Sequence, residues 1–503
     1  MSQNAEIGRR VTTIIFAQGI GAVLSALAVL IITRSIGMEG YGTVKLAISF
    51  VALFSFIPNL GLHSAHIKRV SEGKDLGDCM GTLAVMEIPM IILLVAVLLF
   101  VIHAPGGMDA PVTKSVLYIA VVYQAILSIR AAVWATFKAR RENAKEQLSF
   151  LIDPVVRISL VALLAFFLIG GNGEKLMIAY LLGILGSLMF ALYSLRGIPI
   201  HFRINRDSIR SYWNFAKHLI PLTIIAVIAI NLDKVLIGVY WSELEVGQYS
   251  TAQMVTALIN QIPLAFGVLL FPTISSSFSL GQGGKEEIRS ITRFMGRYLS
   301  MIILPVVVYL IVFGKSLLGL FPGAEDAYLV LITLALYAFV FSLGTPYLNL
   351  LLGIDRPDIN SRILIVGHII TISLGVVLIP IPAIGMVGGA LALLIAYLIV
   401  FLLATFATKK LVGVGIGLIG KNALYHLLAG CMTALILLPI SLTFATNRWF
   451  HVIGFAFLTL GMYLGFLFLL GEFKKEDFNF FKESLHPARL MGYVSGEVLG
   501  KNK

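Results

Sequence analysis

The chain has 503 residues, of which 58% are hydrophobic and only 13% charged. A soluble domain carries roughly 25% charged residues, so a soluble globular protein is excluded. The net charge of +12 comes in short basic pieces between apolar runs, which is membrane topology and not a nucleic-acid groove. Cys79 and Cys431 stand far apart with no metal-ligand spacing, so neither a disulfide framework nor a zinc centre is expected.

The opening MSQNAEIGRR is not expected to be a cleaved signal, because the apolar run behind it is too long and no small-residue cleavage site follows. Fourteen apolar segments follow in order: 11–33, 43–62, 83–103, 114–137, 148–170, 175–195, 215–240, 250–275, 294–313, 328–352, 361–380, 385–408, 422–443 and 450–470. Each is long enough to cross a bilayer, which takes about 20 residues. Irregular backbone and open sheet edges cannot face lipid, so all are expected to be helices.

Lys and Arg sort by side. With the N-terminus on side one, that side collects 28 of them, from Arg9 and Arg10 to Lys503; side two has Arg34, Lys45, Lys114, Lys175, Lys315 and Arg448. The excess places both termini in the cytoplasm of a multi-pass protein of the cytoplasmic membrane, and the alternation requires an even number of spans. Arg34 and Lys45, bracketing the first outer loop, read as surface charges.

A weak repeat runs through the chain. GYG at 40–42 follows segment one and GQYS at 247–250 follows segment seven. Aligning Tyr41 with Tyr249 carries segments three and five onto nine and eleven, and Pro58 and Pro263 interrupt the second helix of each half. Both halves start in the cytoplasm, so the repeat is parallel, a known transporter design with the substrate site between halves. The expected organisation is all-α: an N-lobe of six helices over 1–205, a C-lobe of six over 206–410, two additional helices over 411–471, and a cytoplasmic tail over 472–503. In the tail, EFKKEDFNFFKESL (472–485) interleaves phenylalanine with charge, as an interfacial amphipathic helix does.

No phosphate-cradling GxxxxGK[ST] loop, HExxH or nucleophile elbow is present, so neither ATP-driven transport nor enzymatic catalysis is expected. The chemistry then rests on polar groups at membrane depth, where charge is expensive and usually functional. Arg130 shares a helical face with Tyr123, Leu127 and Trp134, a cation among aromatics that suits a phosphate or a sugar ring. The competing reading is snorkelling to the cytoplasmic surface. Arg157 follows Asp153 by four residues, the spacing of a helical ion pair that satisfies itself, with Pro154 between them. Asn231, Asp233 and Lys234 lie in segment seven. Asp233 and Lys234 diverge by about 100°, so one or both are expected to line a cavity, or to form an ion pair that governs closure between the lobes. Glu87, four residues into segment three, reads as interfacial. His368 reads as structural. A cation surplus at depth implies an anionic substrate group.

The run LIITRSIGMEGYGTVKLAISFVALFSFIPNLGL (30–62) resembles the opening of polysaccharide-transporter flippases in the multidrug/oligosaccharidyl-lipid/polysaccharide exporter superfamily. INLDKVLIGVYWSELEVGQYSTAQMV (230–255), LLGIDRPDINSRI (351–363) and LIPIPAIGMVGGALA (378–392) resemble its later segments. The resemblance covers roughly residues 8–410. It implies two six-helix lobes around a central cavity and alternating-access transport of a lipid-linked, polyprenyl pyrophosphate oligosaccharide for cell-surface glycan biosynthesis. Membrane lipid and glycan polymerase or transferase machinery are the implied partners.

Cationic cavity residues bind the pyrophosphate in such flippases, and Arg130, Arg157 and Lys234 match by type. The extra helix pair resembles that of lipid II flippases, but residues 11–33 contain no arginine. They contain no Asp or Glu either, which separates the chain from the alternative, a cation-coupled multidrug exporter of the same superfamily. No cofactor is expected; proton or sodium coupling through Asp233, Glu87 or Asp153 is open. Lys234→Ala is expected to abolish export and to leave insertion intact.

Overall fold

A computed structural model describes residues 3–104, 113–166, 172–196, 205–279, 284–443, 448–473 and 477. Apolar runs in lipid must satisfy every backbone group within the segment, and helices do so. Seventeen α-helices follow one another among the described residues. They are α1 (Gln3–Ser35), α2 (Gly37–Ala52), α3 (Phe56–Asn59), α4 (Leu62–Ser71), α5 (Leu76–His103), α6 (Lys114–Ala139), α7 (Asn143–Phe166), α8 (Gly173–Ser194) and α9 (Arg206–Ala216). The series continues with α10 (Ile220–Tyr240), α11 (Glu243–Ser279), α12 (Lys285–Leu318), α13 (Tyr328–Gly353), α14 (Pro357–Leu378), α15 (Val387–Val412), α16 (Gly417–Thr443) and α17 (Trp449–Leu469).

Thirteen of the fourteen expected segments coincide with one helix each, and segment two is divided among α2, α3 and the start of α4. Twelve stretches are long and apolar enough to cross a membrane among the described residues. Ile92, Phe100, Phe406, Leu442 and Phe457 are exposed on the outside of these helices, as lipid-facing side chains are. The three extra helices are short. Segment two breaks where Leu60 takes a left-handed conformation (φ 37°) and Gly61 follows at φ 84°, and α4 then begins at Leu62. Pro58 sits in the short α3 before this break. Pro263 does not break its helix, contrary to expectation: α11 is continuous from 243 to 279.

Between α8 and α10 lies α9, strongly amphipathic, with Tyr212 buried and Trp213 exposed. Side chains stop the chain where helices begin: Asp75 accepts from the Asp78 N–H ahead of α5, and Asn172 from the Lys175 N–H ahead of α8.

By packing, the chain forms two compact units. Among the described residues, one holds 16–250 with 375–385; the other holds 3–15, 251–374, 386–473 and 477. α9, α10 and the start of α11 fall in the first of these units, and glycines close the contact between α2 and the last two. A Cβ on Gly42 would sit 1.6 Å from the Glu243 carbonyl oxygen, and one on Gly247 would sit 2.4 Å from the Met38 carbonyl oxygen. A Cβ on Gly238 would meet the Leu46 side chain at 2.5 Å. Three bare backbones thus let α2 lie directly against α10 and the head of α11. Thr43 Oγ1 adds a hydrogen bond to Glu243 Oε2 (2.9 Å).

In the second unit, α13 and α15 pack around Tyr347, Leu350, Val400 and Phe401. The added helices α16 and α17 pack against α12, where Phe313 stacks on Phe455 and Tyr309 donates to the Val452 carbonyl. Most of the tail 472–485, expected to be amphipathic, lies outside the described residues. Its Asp477 is fully buried: Oδ2 accepts from Arg297 Nη2 (2.6 Å) and Oδ1 from the Tyr298 hydroxyl (2.7 Å).

Candidate functional site

The polar groups at depth in the first unit fall into two groups. The larger lies among α2, α6, α7 and α8. Arg130 on α6 is buried, and its Nη1 donates to Ser187 Oγ on α8 (3.1 Å). The same Nη1 approaches Asp153 Oδ2 on α7 (3.7 Å), and the guanidinium lies over the Trp134 ring at 4.1 Å. Trp134 is itself held by Ser149, which accepts from its Nε1 (3.0 Å) and hydrogen-bonds across to Ser187. Arg130 therefore does not snorkel; it is fixed inward by two helices and an aromatic plane.

Arg157 lies one turn further along α7, over the Tyr180 ring at 4.4 Å. The expected self-satisfying pair with Asp153 is not what forms: the ion pair of Asp153 is with Arg130, and Arg157 turns to the ring. Gly183 makes this possible, because a Cβ there would lie 2.6 Å from Asp153 Oδ1. Lys45, read from the sequence as a surface charge, is half-buried and lies 5.4 Å from the Tyr41 ring and 5.5 Å from Tyr180. Tyr123 sits within electrostatic reach of Arg130, Asp153, Arg157 and Tyr180. The cluster therefore sets three cations against one carboxylate, with four aromatic side chains around them.

Three of its buried polar atoms, Arg130 Nε, Asp153 Oδ1 and Arg157 Nε, have no hydrogen-bond partner among the described residues. Buried donors left open are costly, and guanidinium N–H groups without a partner are what an anionic oxygen would fill.

The smaller group is on α10. Lys234 Nζ folds back to Asp233 Oδ1 (2.9 Å) and to the Ile230 carbonyl (3.1 Å), and both residues are buried. The flexible lysine stem overcomes the 100° divergence that the helix imposes. Tyr249 lies 6.0 Å from the ammonium, and Asn231 Nδ2 is spent on the Val227 carbonyl (2.9 Å). Of the residues singled out from the sequence, Arg130, Arg157 and Trp134 come together with Asp153, and Asn231, Asp233 and Lys234 form their own set. Tyr123 stands with Arg130 as its helical face implied, whereas Lys45, Tyr41 and Tyr180 were missed. The signal for Lys45 was its place four residues after Tyr41, one helical turn on the same face.

A family model described as "Polysaccharide biosynthesis protein" matches residues 7–278, more than half of the chain. The chain belongs to the polysaccharide biosynthesis protein family. This family member is 22% identical over 407 residues to the probable low-salt glycan biosynthesis flippase Agl15 of Haloferax volcanii, covering 78% of this chain and 81% of that protein. It is 24% identical over 400 residues to the probable flippase AglR of the same organism, covering 77% and 80%. Its fold is similar to that of the lipid II flippase MurJ in an inward closed conformation. The TM-score is 0.72 at 15% identity, over 90% of this chain and 98% of the other. All three elements of the cluster that carry its arginines and tyrosines beyond Tyr41, namely α6, α7 and α8, lie inside the matched region.

Proposed function

We propose that this family member is a flippase that moves a polyprenyl-pyrophosphate-linked oligosaccharide from the inner to the outer leaflet of the cytoplasmic membrane, by alternating access. The observation that carries the reading is the Lys45–Arg130–Arg157 cluster with its open guanidinium N–H groups. Arginine takes phosphate oxygens in a fork, and faces of tyrosine and tryptophan take the apolar faces of sugar rings. A lipid-linked glycan presents both chemistries in one molecule. The family match and the two curated flippase relatives support the same class. Both termini face the cytoplasm, where the basic loops lie. The protein acts as a transporter and performs no bond chemistry, handing its glycan to polymerase or transferase machinery.

The test is a leaflet assay. Purified protein in vesicles with labelled polyprenyl-pyrophosphate oligosaccharide is expected to make the glycan accessible to an external enzyme, and Arg130→Ala to abolish that exposure. Transport of cationic drugs without glycan exposure would place the chain with multidrug exporters instead.

A further inference from the structure

Two histidines sit one turn apart on α4, and their surroundings differ. His66 is fully buried and bonded on both ring nitrogens. The Tyr212 hydroxyl donates to the Cys79 carbonyl (3.2 Å), so its oxygen accepts from His66 Nδ1–H (3.1 Å), and Nε2 accepts from Thr136 Oγ1 (3.0 Å). That imidazole is neutral and committed. His63 instead faces a carboxylate: its Nε2 lies 3.0 Å from Glu87 Oε1 on α5. Glu87, expected at the interface, is only 3% exposed, with His63 of α4 against it. Its second oxygen, Oε2, is buried with no hydrogen-bond partner among the described residues.

We propose that the His63–Glu87 pair is a proton-binding site that couples flipping to a proton gradient, an inference that rests on the flippase reading. With a proton bound, imidazolium and carboxylate neutralise each other and tolerate burial. With the proton gone, the imidazole donates through its Nε2–H and the pair carries one net negative charge, half of it on an oxygen with no partner. An uncompensated buried carboxylate favours a conformation that opens it to water. Loading and release thus bias the equilibrium between buried and opened forms of α4 on α5.

The donor set selects a proton. A hard metal cation is held by several oxygens, and here the facing group is a ring nitrogen. The neighbouring titratable and charged groups do not replace it. On α4 they are His66, already satisfied, and Lys68 and Arg69, which pair with Glu72. On α5 they are buried Cys79 and the first-turn Asp78, which is bonded to the N-cap Asp75; α9 contributes Tyr212, committed to Cys79, and α6 presents the neutral Thr136, its Arg130 and Lys138 being paired with Asp153 and Glu146. The α3 segment FIPN has no ionisable side chain.

Two measurements test the site. In the vesicle assay, an imposed pH gradient is expected to speed glycan exposure several-fold in the wild type, while Glu87→Gln and His63→Gln flip slowly at a rate the gradient does not change. A full gradient response in both variants overturns the site, as does wild-type flipping that ignores the gradient, and either result leaves the flippase reading standing. The second readout needs no transport. Infrared difference spectra of the purified full chain between pH 5 and pH 8 are expected to show a carboxyl or imidazole band that both variants lose. A wild-type spectrum identical to that of Glu87→Gln overturns the proton site, even where no glycan is flipped. Gln at 87 keeps shape and a hydrogen bond to His63, so folding is preserved.

Discussion

Arg130 makes a hydrogen bond, an ion pair and a stacking contact with one planar group, and only arginine can make all three. Arg130→Lys keeps the charge and loses the fork and the Trp134 plane. Glycan exposure in the leaflet assay is expected to fall by on the order of tenfold, about 1.4 kcal/mol of barrier. Trp134→Phe, which keeps a ring but releases Ser149, is expected to fall less. Lys234 reaches its partner on its own helix. It neutralises Asp233 within a buried pair, so Lys234→Ala strands a carboxylate and costs about 3 kcal/mol or more of stability. Thermal unfolding in detergent should show that loss, and the double change Asp233→Asn with Lys234→Met should recover most of it. From the sequence, one could see that these residues were charged, at depth and on particular helical faces. The partner on a neighbouring helix could not be seen, because a lysine stem or a guanidinium reaches several ångströms in any direction that packing leaves open.

At the scale of elements, the short helices and the glycine contacts decide what the long helices can do. His66 is held at a value pushed down to about 4, first by burial and then by the nearby His63. The sign follows from linkage. The unfolded imidazole takes a proton near its ordinary value of 6.5 and the folded one does not, so the neutral form is favoured by the fold. That stability is fully present above 6.5 and is lost as pH falls toward 4, by about 3 kcal/mol in all. Melting temperature measured from pH 7.5 to pH 5 should therefore fall, and His66→Gln should flatten the profile. At the α2–α11 contact, Gly42→Leu must displace the Glu243 backbone, and overpacking of this kind costs about 1–3 kcal/mol. Transport should be lost with the protein still inserted, as read by membrane fractionation beside the leaflet assay. The long apolar helices were legible because lipid leaves them no alternative. The break at Leu60 and Gly61 and the helix at 206–216 were not, because they depend on which neighbour covers them.

For the whole molecule, the segment count and the family resemblance were readable from hydropathy and small-residue pattern spread over most of the chain. The grouping of α10 with residues 16–250 was not readable, since it follows from three missing Cβ atoms that meet partners up to about two hundred residues away. Topology is open to direct measurement. Single cysteines placed at Lys74 and Lys409 should react with an impermeant reagent only from the cytoplasmic side, and one at Lys315 only from outside.

Asp477 closes a bond to Arg297 across 180 residues of sequence. Chains are synthesised at about 5–20 residues per second, so α12 is made on the order of ten to forty seconds before its carboxylate partner exists. For that interval the arginine in the first half of α12 must be tended by water, lipid headgroups or an assembly factor, while α13 to α17 are threaded in beside it. The Asp477–Arg297 contact is thus also a timing signal: a stop codon placed just before residue 477 is expected to leave a protein with its helices made but without this clasp, for membrane proteases to find.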